Sequence, residues 1–237
     1  MSTEHALQLM VVGGQHPPWS TVRNVTRFCY GSGSLTNYAT VSPGSTFTAT
    51  ASFSGTHPKW ATTSVFPNGN GSYADAASNA NHVIGTGDFL MEWWQWTSVL
   101  TLQNNAVKIY CDCRLIVGTI SVPILYSTAA DGRLQYSNGS SDLITTAAAV
   151  INTTSVQFIS ICRVSGTTTV YVDGVSVGSA ADSTSYVQCR IRLGNTPNGA
   201  GGTTLWIPEY RFASGSGSGI RTANFTVPTG PFPISPS

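Results

Sequence analysis

Thr168-Thr169-Val170-Tyr171-Val172-Asp173-Gly174-Val175-Ser176-Val177-Gly178 reads as a β-hairpin. Asp173-Gly174 suits a type I′ turn, in which both central residues need positive φ. Val172 and Val175 flank the turn, with Val170 and Val177 two residues further out. Side chains alternate along a strand, so the four valines share one face, while Tyr171 and Ser176 take the other. A hairpin with a dry face needs a second layer over it. The spacing therefore predicts a sheet-on-sheet protein with Val170, Val172, Val175 and Val177 in the inter-sheet core.

Outward from the hairpin, the chain keeps the same character. Phe89 to Trp96 alternates, with Phe89, Met91 and Trp93 on one side and Leu90, Glu92, Trp94 and Trp96 on the other. Residues 107–117, 158–164, 187–193 and 205–212 also read as strands, and Gly, Pro, Asn and Ser punctuate the chain at short intervals. Residues 1–27 contain Pro17-Pro18 and no clear alternation, and are expected to form an N-terminal arm. The main domain is expected over 28–227. A tail over 228–237, carrying Pro231, Pro233 and Pro236, must run extended.

Composition narrows the function. The 237 residues suffice for one large β domain. Only 9% are charged and the net charge is +1, against about 25% charged in ordinary globular domains. There is no basic stripe for nucleic acid. No apolar stretch approaches the ~20 residues of a membrane span. No cationic segment precedes the short apolar run at Leu9-Met10-Val11-Val12, so the expectation is synthesis and folding in a cytoplasm, or export by a route the sequence does not show. Of five cysteines, Cys111 and Cys113 fall on one strand face. Their spacing lacks the second pair of a zinc site, and buried free thiols are the expectation.

Four pieces carry a family resemblance. Gly87-Asp88-Phe89-Leu90-Met91-Glu92-Trp93-Trp94 resembles an early core strand of the concanavalin A-like, laminin-G-like jelly rolls found in bacteriophage virion proteins. Arg163 to Thr167, running into Tyr171 to Val175, resembles their central hairpin. Glu209-Tyr210-Arg211-Phe212 and then Arg221 to Pro228 resemble the closing strand and its Pro-rich exit. The resemblance covers residues 28–237 and implies an all-β, two-sheet antiparallel jelly-roll sandwich. Asn68, Val156 and Phe158 depart from the family's usual acidic turn, Trp and His.

The residues offer little catalytic chemistry. Glucanases of this fold resemble one another in paired acids at alternate strand positions, where two carboxylates divide the acid and nucleophile roles. None of the ten acids here is two residues from another. There is no nucleophile elbow and no phosphate-binding glycine motif. No catalytic residue, metal ligand or cofactor is assigned, and the protein is expected not to be an enzyme. Glu92, Trp94 and Trp96, on one strand face, are the candidate glycan contact, because rings stack on sugars and an acid accepts their hydroxyls. The competing reading is that this face is covered. Asp88 and Glu209 have a cation-site reading, against a turn bond for Asp88 and an ion pair with Arg211 or Arg221 for Glu209.

Three functions remain, two of them ahead of the third. One is a structural virion component, a capsid decoration or fibre protein; the other is a glycan-binding adhesin of the tail. A polysaccharide-degrading enzyme is third. The expected partners are capsid or tail proteins, further copies in a closed homo-oligomer such as a trimer, and a cell-surface glycan. The arm, the tail and the Gly/Ser loop at 213–219 are expected to make the assembly contact.

Overall fold

The computed structural model describes residues 16–27, 47–57, 59, 64–69, 71–78, 80–102, 107–116, 119–199 and 203–233. Its strands begin with β1 (Val22–Arg27), β2 (Phe47–Ala49), β3 (Ser52–Ser54), β4 (Ser64–Phe66), β5 (Ala74–Ala76) and β6 (Val83–Gly85). There follow β7 (Phe89–Trp96), β8 (Lys108–Asp112), β9 (Ile124–Ser127), β10 (Gln135–Ser137), β11 (Asp142–Thr145) and β12 (Gln157–Val164). Last come β13 (Thr167–Val172), β14 (Val175–Ala181), β15 (Tyr186–Gln188), β16 (Ile191–Leu193) and β17 (Trp206–Ser214). Two short 3-10 turns are the only helical elements among the described residues.

The strands form an antiparallel jelly roll. An eight-stranded sheet runs β14-β13-β12-β7-β17-β4-β3, with β1 also paired to β17. A seven-stranded sheet runs β11-β10-β9-β8-β16-β5-β2, and β6 pairs with β15 in a small third sheet. Phe89, Met91 and Trp93 of β7 enter the core between the large sheets, with Tyr136, Ile159 and Phe212. Leu90 and Trp94 point to the opposite face. The alternation expected for this strand is therefore present.

The hairpin is β13–β14, and its turn has Asp173 at φ 51° and Gly174 at φ 79°. Both values meet the type I′ requirement. The turn also ties neighbours together. The Asp173 carboxylate accepts the Phe158 N–H at 2.8 Å, and the Phe225 N–H donates to the Gly174 carbonyl at 2.9 Å. A β-carbon on Gly174 would lie 2.0 Å from the Phe225 oxygen, so the close approach of that segment alone demands glycine.

The valine expectation holds only in part. Val170 and Val172 are buried in the core, and Val177 packs partly against it, but Val175 is 54% exposed. β14 is the edge strand, and its register with β13 shifts between Val170 and Tyr171. Ile144 of β11 covers Gly178 further along, where an added β-carbon would meet it at 2.3 Å. Val175 lies at the turn, at the sheet's margin.

Described segments around Val22 and from Ile220 to Phe232 form a partial third layer. β1, placed by the sequence reading in the arm, pairs with β17 from Val22↔Ala213 to Arg27↔Glu209, so the segment from Val22 belongs to the sheet. Val22 and Phe232 are buried on the outer face of the eight-stranded sheet with Leu90, Phe158, Cys162 and Tyr171. The Tyr171 hydroxyl donates to the Arg221 carbonyl at 3.0 Å. Residues read as an arm and a tail thus bury apolar surface, each large side chain contributing roughly 1.5–3 kcal/mol.

Buried polar groups are tied into networks. Fully buried Arg163 donates to the carbonyls of Gly85, Gly87 and Thr184 at 2.6–2.9 Å, and lies 3.7 Å from Asp182. Asp182 accepts hydrogen bonds from Thr168 and Tyr186, each at 2.7 Å. His82, buried beside Phe212, is lowered by burial to about 4 from an ordinary value of 6.5. The unfolded chain therefore binds a proton between those values that the folded chain refuses. Stability should be full above pH 6.5 and fall as the pH drops towards 4, by up to about 3 kcal/mol from this group. His16 is also lowered to about 4, chiefly by burial, and titrates in the same window. Urea midpoints measured across it should show His82→Gln removing about half the pH slope; an unchanged slope would contradict this assignment.

Candidate functional site

The three residues nominated from the sequence are separated by their surroundings. Glu92 is fully buried at the centre of the outer face. Its Oε1 accepts Arg221 Nε at 2.8 Å and Ser160 Oγ at 3.3 Å, and its Oε2 accepts Arg211 Nε at 3.1 Å and Nη2. Burial pushes this carboxyl up, but the charges and hydrogen bonds of Arg211 and Arg221 outweigh it, and the net shift is below the usual carboxylate range. Glu92 is thus held ionised and committed to internal partners. Arg211 in turn lies over the Phe232 ring at 4.4 Å, and Arg221 over Phe225 at 4.0 Å. The covered-face reading applies here, for a physical reason: a carboxylate under an apolar roof needs paired cations.

Trp94 is likewise buried, set edge-on to Phe158 at 4.9 Å with Lys59 Nζ 4.3 Å from its ring centroid. Trp96, two residues on, emerges at the end of β7 and keeps part of its surface exposed. Of the nominated trio, it alone remains available at the surface. Trp60 lies outside the described residues, and Trp19 stacks on His16 at 4.8 Å beneath the outer-face layer.

Around Trp96 the fold assembles an aromatic rim. Trp206, at the start of β17, pairs with Trp96 in register and packs against it edge-on at 4.7 Å. Phe66, at the end of β4, stacks on Trp206 at 4.1 Å, and the His57 ring stacks on Trp96 at 3.5 Å. Trp96, Phe66 and His57 all retain partial exposure. Trp206 Nε1–H donates to Ser54 Oγ at 3.2 Å, fixing the indole's orientation. Beside the rings, Thr204 Oγ1 donates to Asn68 Oδ1 at 3.2 Å, giving hydroxyl and amide groups at the same edge.

The floor of the rim is rigidly bonded. The Thr97 hydroxyl contacts the carbonyls of Val99 and Thr204, each at 2.8 Å. Lys108 Nζ, buried beneath, donates to Thr97 Oγ1 at 2.8 Å and to the Val99 carbonyl. Burial lowers this ammonium to about 8. Flat apolar rings beside hydroxyl and amide groups suit a ligand with one apolar and one polar face, which is the surface pattern of a sugar ring.

The remaining chemistry-bearing residues are structural. Asp88 accepts the Ser165 N–H at 2.9 Å, and both Glu209 oxygens accept the Phe232 N–H at 2.9 Å. Glu209 therefore anchors the tail. Cys111, Cys113, Cys162 and Cys189 are buried free thiols, as expected; Cys29 lies outside the described residues. The Cys113 thiol is raised by hydrogen bonding to Cys111 and Cys189, then by burial. No group of three or more His, Cys, Asp or Glu side chains suited to a metal ion occurs among the described residues.

No family model matches the chain, and no curated protein matches it in sequence. Solved structures share its fold. Domain 4 of AbnA, an extracellular GH43 arabinanase from Geobacillus stearothermophilus solved with arabinotriose, is 14% identical with a TM-score of 0.59. That match covers 82% of this chain and 93% of the arabinanase domain. The structure describing dependence of botulinum neurotoxin type C cell entry on two ganglioside molecules matches at 12% identity and TM-score 0.57, over 82% of this chain and 48% of that one. The binding domain of Paraclostridial Mosquitocidal Protein 1 matches at 11% identity and TM-score 0.59, over 84% and 50%. The chain thus spans about half the length of the toxin chains it matches.

Proposed function

We propose that this chain is a non-catalytic carbohydrate-binding jelly roll on the surface of a bacteriophage particle, with the Trp96 rim as its sugar contact. The observation that carries the sugar reading is the convergence of Trp96, Trp206, Phe66 and His57 at one end of the sandwich, beside Asn68 and Thr204. The arabinotriose complex of the arabinanase domain and the ganglioside dependence of the neurotoxin are consistent with this use of the fold. A non-enzymatic role accords with Glu92 and Glu209 serving internal contacts instead of facing a groove.

The particle setting is supported by the four sequence pieces that resemble virion jelly rolls and by a surface with few charges. In this reading the protein is made in the host cytoplasm and joins capsid or tail proteins. A glycan-binding tail adhesin is the form that the rim favours over a purely structural decoration.

Trp96→Ala should weaken binding to a recognised polysaccharide about tenfold or more, equivalent to about 1.4 kcal/mol, while Trp96→Phe retains most of it. Affinity electrophoresis with the purified chain reads both. Equal retention by wild type and Trp96→Ala would move the sugar site elsewhere. Mass spectrometry of purified particles tests the virion assignment separately.

A further inference from the structure

We infer, on the sugar reading of the rim given above, that the His57 ring is the outer plate on which the sugar lies, and that protonation of this ring releases the sugar. His57 stacks on Trp96 with ring centroids 3.5 Å apart and planes 20° from parallel, and stands edge-on to Trp206 at 5.4 Å. One face of the imidazole is therefore taken by the indole. The residue stays half-exposed, so its other side meets solvent. A flat ring backed by an indole suits the apolar face of a sugar. Among the described residues neither ring nitrogen of His57 has a hydrogen-bond partner, while its carbonyl accepts Ser64 Oγ at 3.1 Å. The neutral ring carries one N–H donor and one acceptor nitrogen, and both are left for sugar hydroxyls.

The backbone is shaped to hold the ring there. His57 has φ 55°, in the left-handed region that few residues other than glycine adopt and that histidine tolerates better than most. Ser54 Oγ accepts the Thr56 N–H at 3.1 Å and Trp206 Nε1–H at 3.2 Å, so one hydroxyl ties the loop that carries His57 to the second indole. Such sparsely populated conformations persist where their surroundings impose them, and they cluster at ligand clamps.

The surroundings of the ring set its response to pH. β4 presents Ser64 to it, β7 Trp96 and β17 Trp206, none of which titrates near neutrality. The stretches that build the rim, 52–66, 94–108 and 203–207, contain no Asp or Glu. Their cations are Lys59, set against the Trp94 ring, and buried Lys108, bonded to Thr97. No carboxylate there favours the imidazolium, and burial lowers the ring below its ordinary value of 6.5. The plate is therefore neutral at pH 7. Protonation turns its acceptor nitrogen into a donor and adds a charge that must shed water beneath the sugar, so the protonated ring binds more weakly. Affinity then follows the neutral fraction of His57: it is full above 6.5 and is lost as the pH falls through the ring's lowered value.

Affinity electrophoresis of the full chain through gels of arabinan, dextran, mannan and galactan reads the effect; these polymers are neutral, so only the protein titrates. The wild type should be retained by at least one of them at about pH 7.5, and its affinity should fall about threefold or more by about pH 5. His57→Phe keeps a flat ring that cannot titrate, and its affinity should not change over that range. His57→Asn suits the left-handed backbone but removes the plate, and should bind about tenfold or more weakly throughout. Both variants should melt within a few degrees of the wild type. Tryptophan fluorescence without sugar gives a second reading, because an imidazolium stacked on an indole quenches it. The wild type should show a quenching step below pH 6.5 that His57→Phe lacks, while the contribution of His16 on Trp19 cancels between the two. A wild-type profile as flat as that of His57→Phe, or His57→Asn binding like the wild type, would overturn the role of His57 and leave the sugar reading standing. A missing quenching step would show that the ring does not sit on Trp96 and would overturn that role as well. Retention by none of the polymers at any pH would overturn the sugar reading and the role of His57 together.

Discussion

Glu92→Ala is expected to destabilise the protein by about 3–5 kcal/mol, the range for removing one partner of a buried ion pair. Arg211 and Arg221 would be left under the tail layer without the carboxylate they share. For a chain of this size the melting temperature should fall by roughly 10 °C. Replacing Glu92 and Arg221 together, with Met at 92 and Leu at 221, leaves Arg211 near the buried Glu209 carboxylate and should cost less than Glu92→Ala, because fewer charges are orphaned. Chemical denaturation of the single and double variants makes the comparison. A loss below about 1 kcal/mol for Glu92→Ala would mean that the outer face is solvated, and would reopen Glu92 as a groove residue.

The second large effect concerns the hairpin. Val172→Asp places a carboxylate opposite Ile159, inside the inter-sheet core, and should cost several kcal/mol or prevent folding. Val175→Asp, one turn away and 54% exposed, should stay within about 0.5 kcal/mol. The two valines are equivalent in sequence pattern, so the pair isolates the effect of position in the sheet. Similar losses at both sites would mean that the margin of β14 is covered. A harmless Val172→Asp would mean that the hairpin is registered differently.

The local parts of this fold were legible because they rest on neighbouring residues. Asp173-Gly174 determines its own turn, and Phe89 to Trp96 sorts its side chains by alternation. What was not legible comes from distant segments. Val175 depends on β14 being the sheet edge, and Val177 on a register shift against β13. The residues between 187 and 193 read as one strand, yet they divide into β15 and β16 in different sheets.

The candidate site shows the same division. Trp96 was visible as one of three residues on a face, but nothing near Glu92 in sequence announces Arg211, Arg221 or the tail that carries Phe232. Trp206 had no local context, and its role appears only when β17 pairs with β7 and brings it against Trp96. Phe66 and His57 reach the rim from a third stretch of chain. A sheet-end cluster of this kind is a product of strand order, which alternation within one strand does not encode.

The most direct test of the central claim is a glycan array probed in parallel with the wild-type chain and Trp96→Ala, using capsular and cell-wall polysaccharides. The account predicts discrete binding by the wild type, with the same spots dimmed about tenfold or more by Trp96→Ala and no shortening of the bound polysaccharide over time. A blank array at high protein concentration, or binding undiminished by Trp96→Ala, would contradict it.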